Sequence, residues 1–233
     1  YRAFWGCTSL TSVNLGNLTT IGYDCFDEAF RGCRNLTSVD LSSISNVSGE
    51  KSFNSAFYGC TSLTTIDLSG ITSITGTTAF SYAFNGCTNL TSVDFSGLTS
   101  VNGLTVFNQA FHNCTSLSSI DFSNLASING SSPFSSAFNG CSSLASVNFT
   151  SLSSLGSGVL AFAFNNCTGL TTLSFPALTA SSFGSYTNQF NNMLSGCTGV
   201  TVHFPAAIQS TIGSWSSVTS GFGGTNTTVL FDL

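Results

Sequence analysis

The segment Ala83–Gly103, "AFNGCTNLTSVDFSGLTSVNG", decides the fold, because close copies of it run along most of the 233-residue chain. Its cysteine recurs at intervals of 26, 27, 27, 27, 27, 26 and 30 residues, as Cys7, Cys33, Cys60, Cys87, Cys114, Cys141, Cys167 and Cys197. A fixed period of 20 to 50 residues is typical of architectures in which each repeat is one structural unit. The sequence therefore predicts a stack of about eight similar coils.

Apolar residues follow each cysteine at fixed spacings. In the quoted copy, Leu90, Val93 and Phe95 stand three, six and eight residues after Cys87. The order Val93, Asp94, Phe95 alternates apolar and polar side chains, which is the pattern of a half-buried strand. We expect one short strand per coil, and we expect the later apolar residues, such as Leu98 and Val101, to close a turn.

The segment before each cysteine has a different period. Phe80, Ala83, Phe84 and Cys87 stand at i, i+3, i+4 and i+7, which is one face of a short helix. The residue before the cysteine is always Gly or Asn, as expected where a helix ends in a left-handed conformation: Gly6, Gly32, Gly59, Gly86, Asn113, Gly140, Asn166 and Gly196. The predicted fold is α/β, a right-handed leucine-rich-repeat solenoid with a parallel sheet on one face and short helical turns on the other.

The repeat divides the chain into two predicted parts. Residues 1–204 form the solenoid, whose N-terminus starts in the middle of a repeat, so we expect the chain to be part of something longer. After Cys197 the pattern changes to "GVTVHFPAAIQSTIGSW", and Thr227 to Leu233 resembles a final strand. Solenoids need an atypical terminal unit, so we predict that residues 205–233 are a C-terminal cap.

Charged residues are rare, and this excludes some functions. They make up 6% of the chain, with a formal net charge of −5. Four cations cannot build the basic patch that a nucleic-acid-binding protein needs, so we expect no nucleic-acid partner. No apolar run is long enough to span a bilayer. A surface of neutral hydroxyls and amides suits an extracellular or cell-surface protein.

The strings "AFNGCTNLTSVDF", "AFYGCTSLTTIDL" and "AFHNCTSLSSIDF" resemble the BspA-like, or Treponema-type, leucine-rich repeats, with their A-F-x-x-C-x-x-L-x-x-V/I-x-L core. The resemblance covers roughly residues 1–204. The proline that usually follows the strand in this family remains only at Pro176 and Pro205. The resemblance implies a bacterial surface protein that adheres to host glycoproteins, to other bacteria or to matrix, without catalytic residues.

The cysteines are predicted to be architectural. Equivalent thiols on neighbouring coils, about 5 Å apart, point the same way and not at each other, which disfavours disulfides. Zinc binding would need paired cysteines or nearby histidines, so we expect no metal and no cofactor. The predicted buried core contains Cys33, Cys60, Cys87, Cys114, Cys141, Phe57, Phe84 and Phe111. Cys25 lies outside the register, either as an exposed free thiol or as an ordinary loop residue.

A row of carboxylates and amides is predicted on the concave face of the sheet. The same outward strand position is held by Asn14, Asp40, Asp67, Asp94, Asp121 and Asn148. One carboxylate per strand chelates a cation poorly, so simple solvation is favoured over a metal stripe. If the repeat carries a ligand, this row is the predicted ligand-binding site.

The outward sheet residues are short and polar, and none is an aromatic anchor. This favours a surface glycan or glycoprotein, bound weakly and through many copies, over a tightly bound protein. Two isolated histidines, His112 and His203, do not suggest an enzyme. A structural or receptor-binding spacer of a surface or virion, including that of a bacteriophage, and an accessory module of a larger secreted protein stay open. Less regular aromatic residues mark alternative contact edges, although packing on the flank of a helix is the favoured interpretation of Tyr58 and Tyr82: Tyr23, Tyr58, Tyr82, Tyr186 and Trp215.

Overall fold

The computed structural model describes residues 1–185 and 187–233, and these contain fifteen short strands. In chain order they are β1 (Ser12–Asn14), β2 (Thr20–Ile21), β3 (Ser38–Asp40), β4 (Asn46–Val47), β5 (Thr65–Asp67), β6 (Ser73–Ile74), β7 (Ser92–Asp94), β8 (Ser100–Asn102), β9 (Ser119–Asp121), β10 (Ser127–Ser131), β11 (Ser146–Asn148), β12 (Ser154–Ser157), β13 (Thr172–Ser174), β14 (Thr201–Phe204) and β15 (Thr228–Phe231). Two α-helical turns, α1 (Gln209–Ile212) and α2 (Ser216–Thr219), and 3-10 turns at Ala180–Phe183, Ala206–Ile208 and Gly221–Gly223 complete the elements.

The larger sheet has nine strands in the order β1-β3-β5-β7-β9-β11-β13-β14-β15, and all neighbours are parallel. Equivalent residues of successive coils pair directly, as Val93 does with Ile66 and Ile120. These apolar residues are buried between exposed or half-buried neighbours, because alternate side chains of a strand point to opposite faces. The prediction of a leucine-rich-repeat solenoid with one such strand per coil is confirmed.

A second parallel sheet, which was not predicted, contains six strands in the order β12-β10-β8-β6-β4-β2. It is formed by the segments that we interpreted only as turns. Val101 lies in β8, pairs with Ile74 and Ile128, and is buried. The strands of this sheet are two to five residues long, which is too short for an alternating pattern to distinguish them from a turn.

The segment before each cysteine, which we call the turn face, is a series of hydrogen-bonded turns and not a regular helix. Within one coil, the Ala56 N–H donates to the Phe53 carbonyl at 3.0 Å. The Phe53 and Phe57 N–H groups instead donate to the next coil, to Ala79 at 2.7 Å and Ala83 at 2.8 Å. A helix would keep these bonds within one segment. Here alternate N–H groups join neighbouring coils, and this is the physical reason for the difference.

The predicted inward side chains and left-handed stops are nevertheless present on the turn face. Phe80, Ala83, Phe84 and Cys87 are all fully buried. The residue before the cysteine has a positive φ, for example 73° at Gly86. Because glycine has no Cβ, it adopts this conformation without strain.

Stacked coils place equivalent core side chains one coil apart. The rings of Phe57 and Phe84 have centroids 5.4 Å apart, and those of Phe84 and Phe111 are 5.3 Å apart, both pairs nearly parallel. All three side chains are fully buried. The core is therefore a set of continuous columns through the solenoid, in which each phenyl ring covers its equivalent in the next coil.

A line of glycines follows the second sheet where neighbouring backbones meet. A Cβ atom on Gly76 would overlap the carbonyl oxygen of Gly49, and one on Gly49 would overlap the backbone of Gly22. Side chains at these positions would force the coils apart. Glycine is therefore required here by close approach of the chain to itself.

The sheet continues into the last part of the chain, because β15 pairs with β14 along its whole length. Between these strands, Ile208, Ile212 and Phe222 are fully buried. That residues 205–233 act as a cap on the solenoid remains a prediction. None of the helices in the described residues is long and apolar enough to cross a membrane.

Candidate functional site

The predicted row lies in register across six neighbouring strands of the larger sheet, and we call it the sheet-face row. It consists of Asn14, Asp40, Asp67, Asp94, Asp121 and Asn148, each of which pairs with the next. All six side chains are exposed, and each is the last residue of its strand. The row continues in β13 and β14 through Ser174 and His203.

The middle of the sheet face forms an open depression of about 560 Å³. Its rim and floor are mostly hydroxyls and carboxylates, with the edges of three apolar residues between them: Thr65, Ile66, Asp67, Ser92, Val93, Asp94, Ser119, Ile120, Asp121, Ser146 and Asn148. The depression therefore offers many hydrogen-bonding groups, and its three apolar residues are almost fully buried.

Each side chain of the sheet-face row also ends its own strand. The Ser96 N–H donates to Asp94 Oδ1 at 2.8 Å, and the Thr150 N–H donates to Asn148 Oδ1 at 3.1 Å. Four further members accept the same bond from the residue two positions later. This is the Asx turn, in which a side-chain oxygen replaces a backbone acceptor. The row thus has an architectural role, which neither the solvation hypothesis nor the ligand hypothesis included.

The sequence contains a signal for this role that we did not use. Wherever the row position is Asp or Asn, the residue two positions later is Ser, Thr or Gly, each with a backbone N–H. At the two later coils the row position is Ser174 or His203, and the residue two positions later is Pro176 or Pro205. Proline has no N–H to donate. The Asx residue and the donor therefore occur together and disappear together.

Two carboxylates of the row accept a second hydrogen bond, from a serine hydroxyl. Ser69 Oγ donates to Asp67 Oδ1 at 2.6 Å, and Ser42 Oγ donates to Asp40 Oδ1 at 2.7 Å. The Ser42 hydroxyl, followed by the Ser42 N–H, lowers the pKa of Asp40, because both bonds favour the charged carboxylate. These bonds use Oδ1, so Oδ2 of Asp67 takes no hydrogen bond from any described residue.

The stacked thiols have a hydrogen-bonding role. Cys87 Sγ donates to the Phe57 carbonyl at 3.1 Å, and the equivalent bond occurs in seven coils. Those seven cysteines are buried and free. Burial raises the pKa of Cys60 and Cys141 to about 12, so both thiols keep their protons at neutral pH.

Residues outside the repeat register behave differently. Cys25 is an exposed free thiol within the turns of its coil. The buried Nδ1 of His112 has no hydrogen-bond partner among the described residues, and desolvation lowers the pKa of this histidine. His203 Nδ1 lies 2.9 Å from Asp232 Oδ1, which joins β14 to the residue that follows β15. Within residues 1–185 and 187–233, no group of three or more His, Cys, Asp or Glu side chains could hold a metal ion.

The irregular aromatic residues divide into packed and exposed ones. Tyr58 is half-buried, and Tyr82 is half-buried with its hydroxyl 3.4 Å from Gln109 Nε2. Trp215 packs edge-on against Phe183 with ring centroids 5.2 Å apart. Tyr23 is 76% exposed, so among the described members of this set it alone presents most of its surface to solvent. Tyr186, also predicted as a contact edge, lies outside the described residues.

Comparison with known families agrees with this geometry. The model for the BspA type leucine rich repeat region matches the chain in six copies, over residues 1–134 and 105–202. The chain belongs to the BspA-type leucine-rich repeat family. The resemblance predicted from the cysteine-centred motif is therefore confirmed. Repeats of this family are in general non-enzymatic scaffolds that mediate interactions.

Several solved structures are similar to this BspA-type chain. A leucine-rich repeat protein of T. pallidum is 24% identical over 79% of this chain and 80% of its own, with a TM-score of 0.41. The internalin inlF of Listeria monocytogenes is 13% identical over 97% of this chain and 71% of its own, with a TM-score of 0.39. The pneumococcal vaccine antigen PcpA is 12% identical over 97% of this chain and 68% of its own, with a TM-score of 0.40. A search of curated protein sequences finds no significant match.

Proposed function

We propose that this chain is a non-enzymatic recognition module of a cell or virion surface, and that it binds glycans of a host or bacterial surface along the sheet-face row. The observation that carries this proposal is the fixed carboxylate. Asp67, Asp94 and Asp121 each use Oδ1 for the turn that follows their strand, and Oδ2 takes no hydrogen bond from the described residues.

Fixed acceptors suit a ligand rich in hydroxyl donors. A carboxylate held by its own turn loses little conformational freedom when a sugar hydroxyl donates to it, so more of the binding energy is retained. The serine and threonine side chains of the depression supply further donors and acceptors. A row of like charges repels acidic groups, so the proposal favours neutral glycans over sialylated or sulfated ones.

The spacing of the row supports a repeating ligand. Successive carboxylates lie on neighbouring strands, which are separated by about 4.8 Å in a sheet. The polar face contains no Trp, Tyr or Arg anchor, so each single contact is weak. Useful affinity then comes from several contacts to one glycan, or from many copies on one surface.

A glycan array tests the proposal with variants that keep the fold. The double change Asp94→Asn and Asp121→Asn removes two charges and retains the Oδ1 acceptor, as Asn148 shows. We expect it to lose most binding to neutral glycans. The matched control is Asp24→Asn with Glu50→Gln, which removes two exposed charges elsewhere and should bind like the unchanged chain.

Two results would contradict the proposal. Equal binding by both double variants would show that the glycan binds outside the sheet-face row. No binding to any glycan would favour the spacer function, which the near-identical outward residues of successive coils also fit.

A further inference from the structure

Three side chains of consecutive coils stack on the outside of the turn face. Trp5, Arg31 and Tyr58 stand 26 and 27 residues apart, at the equivalent position two residues before each cysteine. The guanidinium carbon of Arg31 lies 5.6 Å from the centroid of the Trp5 ring and 4.1 Å from that of Tyr58. Arg31 is therefore held between two aromatic rings, a cation–π arrangement on both sides.

The fold does not require these residue types at this position. In the next four coils the same position holds Asn85, His112, Asn139 and Asn165. The backbone bonds of these later coils are the same as those of the first three. The Gly32 N–H donates to the Tyr58 carbonyl at 2.8 Å, and the Gly59 N–H donates to the Asn85 carbonyl at 2.8 Å. The aromatic and cationic side chains are thus additions to a scaffold that forms without them.

Arg31 also lacks an internal acidic partner. Its neighbour Arg2 is paired with Glu28 at 3.0 Å, but Arg31 makes no ion pair and donates no side-chain hydrogen bond to any described residue. Flanking aromatic rings cover the faces of a guanidinium and leave its N–H groups in the plane. A guanidinium in this arrangement can donate two parallel hydrogen bonds to a carboxylate.

We propose that Trp5, Arg31 and Tyr58 form a docking site for an acidic protein segment, one that presents an Asp or Glu side chain beside an apolar one. Charge complementarity selects the carboxylate, because the unpaired guanidinium is cationic. The Trp, Tyr and Arg composition selects a protein, since these residues dominate the binding energy of protein interfaces. Tyr58 is half-buried, so part of its surface is available to the apolar neighbour of the carboxylate.

This site is independent of the sheet-face row. Arg31 and Tyr58 lie in the turn segments before Cys33 and Cys60, whereas the row lies at the ends of strands in the larger sheet. A second surface of opposite charge and different chemistry would allow one chain to hold a glycan and a protein at the same time.

An array of short peptides, probed with the labelled full chain, tests the proposal. Each acidic peptide is paired with a version in which Asn and Gln replace Asp and Glu. We expect binding to acidic peptides that is lost in their amide versions and that weakens with salt. The change Arg31→Asn should reduce this binding by at least about tenfold, and Arg31→Lys should reduce it less, because the charge stays but the planar fork is lost.

The variants include controls for folding and for position. Asparagine occurs at the equivalent position in later coils, so Arg31→Asn is expected to keep the melting temperature of the unchanged chain. Asn139→Ala changes the equivalent position four coils after Arg31 and should leave peptide binding intact. The change Asp94→Asn with Asp121→Asn should also leave it intact, which separates this site from the proposed glycan site.

Several outcomes would overturn the proposal. Equal binding to acidic peptides and their amide versions would show that no carboxylate is recognised. Unchanged binding by Arg31→Asn would show that the peptide binds elsewhere on the chain. Binding of sialylated or sulfated glycans that depends on Arg31, with no peptide bound, would replace the protein partner by an acidic glycan. A dimer that disappears on Arg31→Asn in analytical ultracentrifugation would instead identify a second copy of this chain as the occupant.

Discussion

The thiol of Cys87 donates a hydrogen bond to the backbone oxygen of Phe57 in the preceding coil, at 3.1 Å. The same oxygen already accepts the Cys60 N–H at 3.0 Å, so the thiol uses its second acceptor site. Cysteine suits this position because it is small, largely apolar and still a weak donor. Alanine would lack the donor, and serine would bury a more polar group.

Replacing Cys87 by alanine is expected to lower the free energy of unfolding by about 1–2 kcal/mol, since it leaves a small void and removes the hydrogen bond. Urea unfolding followed by circular dichroism measures this. The control is Cys25→Ala, at an exposed thiol, which should change the free energy by less than about 0.5 kcal/mol. Equal effects of the two changes would contradict an architectural role for the ladder of thiols.

Alkaline pH is expected to destabilise the chain. In the unfolded chain the thiols lose their protons near their ordinary pKa of 9.0, whereas the folded chain keeps Cys60 and Cys141 protonated up to a pKa of about 12. The stability they contribute is therefore complete below pH 9 and falls between pH 9 and 12, by about 1.4 kcal/mol per pH unit for each thiol. Unfolding curves at a series of pH values measure the slope. The double change Cys60→Ala with Cys141→Ala should make this slope shallower, and an unchanged slope would assign it to other groups.

Asp94→Ala is expected to lower the free energy of unfolding by roughly 0.5–1.5 kcal/mol, because it removes the acceptor for the Ser96 N–H at the end of β7. Asp94→Asn keeps the acceptor and should be close to neutral. Thermal and urea unfolding of both variants measure the difference. If the two variants were equally destabilised, the charge and not the Asx turn would matter.

Proline stands two residues after the row position only in coils where that position is neither Asp nor Asn. This predicts that substitutions at positions 94 and 96 have non-additive effects on the free energy of unfolding. Ser96→Pro should cost more stability in the unchanged chain than in the Asp94→Ser background, because only the former loses the hydrogen bond to Oδ1. The combination reproduces Ser174 with Pro176. A double-mutant cycle measures the interaction, with an expected value of about 0.5–1.5 kcal/mol. An interaction near zero would make the co-occurrence in the sequence accidental.

Gly76→Ala is expected to cost about 1–3 kcal/mol, since the new Cβ would overlap the Gly49 carbonyl oxygen and force the coils to shift. The matched control is Gly22→Ala, at the equivalent place in the first coil, where no described atom lies within 4 Å of the new Cβ. Melting temperatures of the two variants give the comparison. An unchanged melting temperature for Gly76→Ala would show that neighbouring coils can move apart at little cost in free energy.

The periodic part of the fold could be predicted from the sequence because every coil repeats the same pattern of residues. The inward positions of Val93, Phe84 and Cys87 follow from spacing alone, and the structure buries all three. The sheet-face row is also in the predicted register.

Two features could not be predicted, for different physical reasons. The i, i+3, i+4, i+7 spacing around Phe84 fits any conformation that turns the chain inward at those places, so it does not separate a helix from successive turns. The deciding factor is the hydrogen bonding between coils, such as that from Phe57 to Ala83, which is not local in sequence. The second sheet was missed because strands such as Ser73–Ile74 are too short to show a period. The Asx turns, in contrast, could have been found from the pairing of Asp94 with Ser96.

The direct pairing of equivalent residues, such as Val93 with Ile66, has a consequence for folding errors. Because neighbouring coils present almost the same side chains and the same backbone groups, a strand can dock one whole coil out of place and still make nearly all of its contacts. Such a slip leaves about 27 residues looped out, and the closure entropy of a loop of that length is modest. Mispairing between neighbouring coils should therefore be a trap during refolding, and the irregular residues that differ from coil to coil are what make the correct neighbour distinguishable.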